Sequence, residues 1–549
     1  MNSPDLNGHV ARPSKRLYIL YFVIVAFAML PIWTVKYYVS QDGVSHIYNA
    51  FLMNELVDGN QAFTSWLTFN SFAVPNSTGH WLLALLLRFL PPFTALKVIA
   101  SVTFAAFVAS VGWLRSRSLR DDACAELVAL LAPSLAFCWM WFEGFYNFII
   151  GTVGLVCCLA LFQSRRDRLH VKHTLLISVV LTIVYLSHIV PFVVAASSLI
   201  FLAAFLKGGK SRLRNISLMV LASLPAVALA LWYRVSVGVT EPFWPAWHDL
   251  GDGSIFSVLN HIRTVDPFFL MSRTTLPFSS TRSAWFVVLT PSIWIAIAMM
   301  ILVWRSFRSV LVARSFDRSE FAFLILLVGW TLFAIAGPDD FGSTNGGILR
   351  ERILLCGSIF AIPLVRAPSG RAARLFVSIV LIAVVVFQTT ALWDYSVTES
   401  SVTSDVLAAR NAISDQDSIM TIAVVADGMR FHSVPEPALG ALLGFGRATR
   451  FWDNYELAFT LFPVTTRDPE DRSFFYRVWR ARAFRPNDPK IPFEETYVRL
   501  TALMKDDHSR FTKIVLLGSD SRIESLLANW FDPEPVFAGR DVRVFRHRD

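Results

Sequence analysis

The chain has 549 residues, of which 54% are hydrophobic and only 17% charged, with a mean hydropathy of +0.50. A soluble protein carries about 25% charged residues, so the composition excludes a soluble class and points to an α-helical polytopic membrane protein. The formal net charge of +9 falls in short Arg-rich loops between apolar runs. No basic domain with interleaved aromatics is present, which excludes nucleic acid as a partner.

A transmembrane helix needs about 20 apolar residues. Runs of this kind are 17–39, 93–114, 123–141, 145–163, 174–188, 189–206, 215–236, 284–304, 321–337, 350–365 and 373–393, about eleven transmembrane helices. Arg12, Lys15 and Arg16 before the first run resemble a signal-peptide flank. That run is long enough to span, so it is read as an uncleaved helix. The five cysteines lie in or beside apolar runs, without metal or disulfide spacing, and read as small buried hydrophobes.

Orientation follows from Lys and Arg in the short loops. With the N-terminus cytoplasmic, the inner loops are 115-RSRSLR-120, 164-SRRDRLHVKH-173, 207-KGGKSRLR-214, 305-RSFRSVLVARSFDR-318 and 366-RAPSGRAAR-374, all basic. The first outer loop, 40–92, holds Arg88 as its single basic Lys or Arg. The polar residues that are not simple anchors gather on the outer side, so the chemistry is expected there.

Residue by residue, the outer loop begins 40-SQDGVSHIYNA-50. Asp42 and His46 are four apart and share a face of a helix. A carboxylate at a membrane edge is partly desolvated and can be tuned as a general base. The plain alternative for Asp42 is a helix N-cap. For His46 it is an interfacial histidine bonded to a neighbour. One Asp and one His are too few for a metal set, so no metal or other cofactor is expected, although a divalent ion remains compatible. Further on, 80–90 is too short to span before Pro91 and Pro92. It reads as a helix lying in the interface.

In 143-EGFYN-147 and 187-SH-188, Glu143, Asn147 and His188 sit at span ends on the outer side. They are candidates to line a substrate pocket, with structural satisfaction as the alternative. In the loop 238–283, Trp244 and Trp247 suit either an interfacial belt or stacking on a sugar ring. In 337-GPDDFGSTNGGILRERILL-355, Arg350 and Arg352 open a helix on the outer side. Cations there oppose the helix dipole, and an anionic phosphate would supply the reason. The alternative is an ion pair within the bundle, such as Arg352 with Glu143.

After residue 394 the chain turns polar. Segments 419–427 and 513–518 read as buried strands, 522–531 as a helix, and 535–549 as a hairpin or edge strand. Residues 395–549 are therefore read as an extracytoplasmic α/β domain, following a transmembrane domain over 1–394.

The segment D-x-x-x-H-x-Y-x-A, continuing to P-N-x-x-G-x-W-L-L within loop 40–92, resembles the GT-C superfamily of membrane glycosyltransferases, among them the protein O-mannosyltransferases and aminoarabinose transferases. In that family the first-loop Asp is the catalytic base and the donor is a polyprenyl-phosphate sugar. The resemblance implies Asp42 as base, with His46 beside it, and Arg350, then Arg352, on the donor phosphate. It departs from the pattern at Gly43, which stands where the second acid of a D-E pair is expected. The implied function is inverting transfer of a hexosyl or pentosyl unit to a lipid, glycan or protein acceptor, on the outer face of a bacterial inner membrane and among its lipids. The rival readings are a transporter or flippase, and a non-catalytic protein that binds polyprenyl-linked glycan. No inverted repeat supports the first.

Overall fold

The computed structural model describes residues 15–118, 122–166, 169–206, 209–237, 245–246, 266–268, 291–312, 318–341, 348–425, 431, 433–484 and 492–548. The apolar runs form α1 (Lys15–Thr34), α5 (Pro92–Ser118), α6 (Asp122–Ala136), α8 (Tyr146–Arg165), α9 (Val171–Ser187), α10 (Ile189–Leu206), α11 (Gly209–Ser236), α12 (Pro291–Val312), α13 (Arg318–Ala336), α14 (Leu349–Ser358) and α15 (Arg371–Ala408). Every expected span coincides with a helix. Among the described residues, eight are long and apolar enough to cross a membrane. The other three are shorter than a full span. The run 123–141 breaks after Ala136 and resumes as α7 (Trp139–Glu143), α9 has 17 residues, and α14 has 10 before a 3-10 turn, Ile359–Leu364. Pro363 in that turn has no N–H to continue an α-helical ladder.

The first loop is ordered throughout. It carries α2 (Gln41–Val57), the single turn α3 (Gln61–Thr64), the short strand β1 (Leu67–Phe69) and α4 (Thr78–Leu87). α4 matches the expected interfacial helix. It buries Gly79, His80, Leu83 and Ala84 and exposes Trp81, Leu82 and Leu85, the arrangement of a helix that faces protein on one side and apolar lipid on the other. In the middle of the chain, β2 (Pro245–Ala246) pairs with β3 (Asp340–Phe341).

The C-terminal region holds a mixed sheet. β4 (Ser418–Val424) pairs in parallel with β5 (Arg450–Phe451), β7 (Ala483–Phe484) and β8 (Lys513–Leu517). β10 (Val542–Arg546) runs antiparallel to β8 and to β9 (Phe537–Ala538). Met420 to Ala423 are buried without alternation, as a parallel strand covered on both faces requires. Helices Pro469–Ala481, Phe493–Asp507 and Ser521–Leu527 complete the α/β layer.

Two connections fix this sheet domain to the bundle. α15 runs unbroken through residue 394 to Ala408. It buries Tyr395, whose hydroxyl lies 3.2 Å from Ser433 Oγ. The second connection is a strand pair, β1 with β6 (Val464–Thr466), in the register Leu67↔Thr466, Thr68↔Thr465, Phe69↔Val464. Asn70 N–H donates to the Pro463 carbonyl at 2.7 Å, and Arg467 N–H to the Trp66 carbonyl at 2.9 Å, extending the ladder at both ends. The first loop and the C-terminal domain therefore lie at the same end of the bundle.

Candidate active site at the junction of first loop and C-terminal domain

The site begins with how closely α2 approaches the bundle. Gly144 has φ +94°, in the left-handed region that favours glycine. A Cβ there would lie 2.7 Å from the Gly43 nitrogen and 2.4 Å from Ser40 Oγ. A Cβ on Gly43 would lie 2.2 Å from Ser40 Oγ. The first turn of α2 is thus pressed onto the turn after α7, and a side chain at 43, where the second acid of the pattern is expected, would have to displace the Ser40 hydroxyl beside the Tyr146 ring.

Asp42 lies inside the first turn of α2, with Ser40 as N-cap. The helix-cap reading of Asp42 is therefore corrected: the cap position is two residues earlier. Its carboxylate lies near the hydroxyl of Tyr455, which follows β5 in the C-terminal domain. Burial pushes the Asp42 carboxyl up to about 6. The nearby His46 and the Tyr455 hydroxyl pull it down, and the charges of Glu143 and Glu456 push it up. An acid of this kind is ionised near neutrality yet still basic enough to take a proton.

His46 does not orient Asp42. Its Nδ1 lies 2.5 Å from Glu456 Oε1. His80 Nε2 lies 2.8 Å from Glu456 Oε2, and Asn49 Nδ2 donates to the same oxygen. The two imidazole rings meet edge to face at 4.7 Å between centroids. His46, His80 and Glu456 are all buried, and their ligating atoms lie within 4.8 Å of one another. Burial alone would raise the Glu456 carboxyl; the charges and hydrogen bonds of His80 and His46 outweigh it and hold the group down at about 2. Reading the sequence finds His46 and the helix of His80 but not Glu456, an unremarkable acid 410 residues away.

Asn147 holds α4 to the bundle rather than facing an open pocket. Its Oδ1 accepts from Gly79 N–H at 2.5 Å, and its Nδ2 donates to the Asn76 carbonyl at 2.9 Å. His188 is buried at the α9–α10 break. Its Nδ1 accepts from Val190 N–H at 3.1 Å, and its ring meets Phe148 edge to face. Glu143 is buried at the end of α7, within electrostatic range of Asp42. Trp244 and Trp247 lie outside the described residues.

The two arginines of α14 diverge. Arg350 Nε lies 2.5 Å from Asp339 Oδ1, so this guanidinium is engaged by an acid of the preceding loop. Arg352 lies over the rings of Phe145 at 5.1 Å and Phe148 at 5.8 Å. It feels the charges of Asp42 and Glu143, and its buried Nε has no hydrogen-bond partner. The expected Arg352–Glu143 bundle pair takes the form of this longer-range attraction. The arrangement brings together Asp42, Tyr455, Glu143 and Arg352: two acids, a hydroxyl and one cation able to face an anion.

No family model and no curated protein matches the chain. Solved structures match it in fold. ArnT from Cupriavidus metallidurans in the apo state aligns with a TM-score of 0.53 at 12% identity, over 96% of this chain and 97% of that one. ArnT from the same organism bound to undecaprenyl phosphate aligns with a TM-score of 0.43 at 10% identity, over 96% and 97%. The arabinofuranosyltransferase AftD from Mycobacteria aligns with a TM-score of 0.48 at 13% identity, over 98% of this chain and 40% of AftD, so the chain spans about two fifths of that enzyme. The chain is thus similar in fold to the membrane protein ArnT along nearly the whole length of both; in this chain the fold is a polytopic helical bundle whose first loop and C-terminal α/β domain meet at one end.

Proposed function

We propose that this protein transfers a sugar from a polyprenyl-phosphate donor to an acceptor hydroxyl, with inversion at the anomeric carbon. The observation that carries the reading is Asp42: a half-buried, uplifted carboxylate beside Tyr455 at the opening of the first loop, with Arg352 in electrostatic reach. Asp42 takes the proton of the acceptor O–H as that oxygen forms a bond to the anomeric carbon. The bond from that carbon to the phosphate oxygen breaks, and its electron pair leaves on polyprenyl phosphate. Arg352 offsets the charge that grows on the phosphate. The phosphate role moves from Arg350 to Arg352 because Arg350 is already occupied by Asp339. The Lys and Arg distribution supports a cytoplasmic N-terminus and a site on the outer face of a bacterial plasma membrane. The acceptor is a lipid, glycan or protein hydroxyl.

The test is native mass spectrometry of the purified chain with added undecaprenyl phosphate. Wild type and Asp42→Asn are expected to retain the lipid, and Arg352→Ala to lose it. Equal retention by all three would remove Arg352 from the donor site.

A further inference from the structure

His80 is fixed by its far side. Its Nδ1 lies 2.8 Å from the Asn76 carbonyl oxygen, so that nitrogen carries the proton and donates. The same carbonyl also accepts from Asn147, which anchors it. Nε2 faces Glu456 Oε2 at 2.8 Å and His46 Nδ1 faces Oε1 at 2.5 Å, so two imidazole nitrogens and a carboxylate converge on one buried point, where a shared proton or a metal ion joins them. A histidine that donates its other ring N–H to a backbone carbonyl is the usual outer arrangement around a metal ligand. His80 and Glu456 are fully buried and His46 is 5% exposed. Asn49, also fully buried, leaves its Oδ1 without a hydrogen-bond partner. Turning the Asn49 amide over exchanges that oxygen with the Nδ2 now contacting Glu456.

From this we infer that His46 Nδ1, His80 Nε2 and Glu456 form a binding site for a divalent transition metal of the zinc type. Two imidazoles and a carboxylate suit zinc, whereas magnesium and calcium prefer oxygen-only sets. Three protein ligands leave a fourth position, which a water or the turned Asn49 amide oxygen fills. The ligands come from α2, α4 and the segment after β5. The metal therefore joins both helices of the first loop to the C-terminal domain. Its role is to fix Tyr455, the neighbour of Glu456, over Asp42. The inference does not rest on the glycosyltransferase reading, because neither Asp42 nor Arg352 is a ligand.

The experiment is elemental analysis of the purified full-length chain, followed by chelation and titration with zinc alone and then cobalt(II) alone. About one zinc per chain is expected. Chelation is expected to lower the melting temperature and added zinc to restore it. Cobalt(II) is expected to give the visible absorption of a four-coordinate nitrogen–oxygen site. His80→Ala and Glu456→Gln are expected to lose metal and absorption, whereas His508→Ala, at a stacked histidine pair elsewhere in the domain, keeps both. The wild-type readouts decide the case even where a variant fails to fold. A wild-type chain that stays metal-free in excess zinc, with unchanged melting temperature and no cobalt spectrum, overturns the inference. The trio is then an imidazolium–carboxylate pair held by protons alone.

Discussion

The Tyr455 hydroxyl of the C-terminal domain lies near the Asp42 carboxylate of the first loop, more than four hundred positions away in sequence. The hydroxyl favours the ionised carboxylate, while burial opposes it.

Asp42→Asn removes the proton acceptor at nearly constant shape. The variant is expected to insert and fold but to lose transfer by roughly a hundred- to ten-thousandfold. Normal transfer by a well-expressed Asp42→Asn protein would sink the mechanism.

Activity is expected to depend on pH through the same group. Transfer needs the ionised form, and the carboxyl sits at about 6, so the rate should fall below that pH and level off above it. Tyr455→Phe deletes a hydroxyl that lowers the Asp42 value, so the acid limb should move to higher pH. A merely structural tyrosine would reduce the rate without moving the limb. For stability the sign is reversed. The folded pKa is raised above the ordinary 3.8, so this group's unfavourable contribution grows as pH rises from about 4 to about 6 and is fully present above that.

The packing of α2 on the turn after α7 predicts a sharp contrast among glycines. Gly144→Ala combines a positive φ with contacts below 3 Å and is expected to cost about 1–3 kcal/mol. Gly370→Ala has nothing within 4 Å of its Cβ and an ordinary φ of −86°, so it is expected to be neutral. Thermal unfolding in detergent, comparing the two, checks this. An equal effect at both positions would refute the close-approach account.

The two arginines of α14 should separate in function. Arg352→Ala is expected to raise the KM for donor, whereas Arg350→Ala removes the ion pair with Asp339 and should lower thermal stability with donor affinity retained. The reverse pattern would return the phosphate to Arg350.

The β1–β6 ladder predicts a different failure. Thr68→Pro, opposite Thr465, removes a ladder donor. Protease cleavage of the first loop should accelerate, and Trp66, packed on Phe475 of the C-terminal domain, should change its fluorescence.

The bundle was legible because lipid leaves little choice. Backbone groups must bond within a helix there, so apolar length alone located a helix at each expected run; eight of these are long enough to cross, and the break after Ala136 and the 3-10 turn around Pro363 shorten two of the others. Asp42 was legible because the helix period and its position after the first span set it apart. Glu456 was not. Nothing in 452-WDNYELAF-459 distinguishes a buried acid from a solvated one. Its role appears only when β6 pairs with β1, and no local pattern announces pairing between strands of three residues. The division of labour between Arg350 and Arg352 was hidden for a related reason. Two positions apart on a helix, they face different ways, and which one meets Asp339 depends on a loop fold that composition does not specify.

The strand pair between residues 67–69 and 464–466 also sets an order of events during biosynthesis. His46 and Glu456 are separated by 410 residues, which a ribosome takes about 20–80 s to traverse at 5–20 residues per second. Throughout that interval the first helices are already in the bilayer, with Asp42 lacking Tyr455 and both imidazoles lacking their carboxylate. On the proposed mechanism the site is completed only when the tail of the chain has been delivered to the same end and folded back, so a prematurely terminated product is expected to occupy the membrane without transferring sugar.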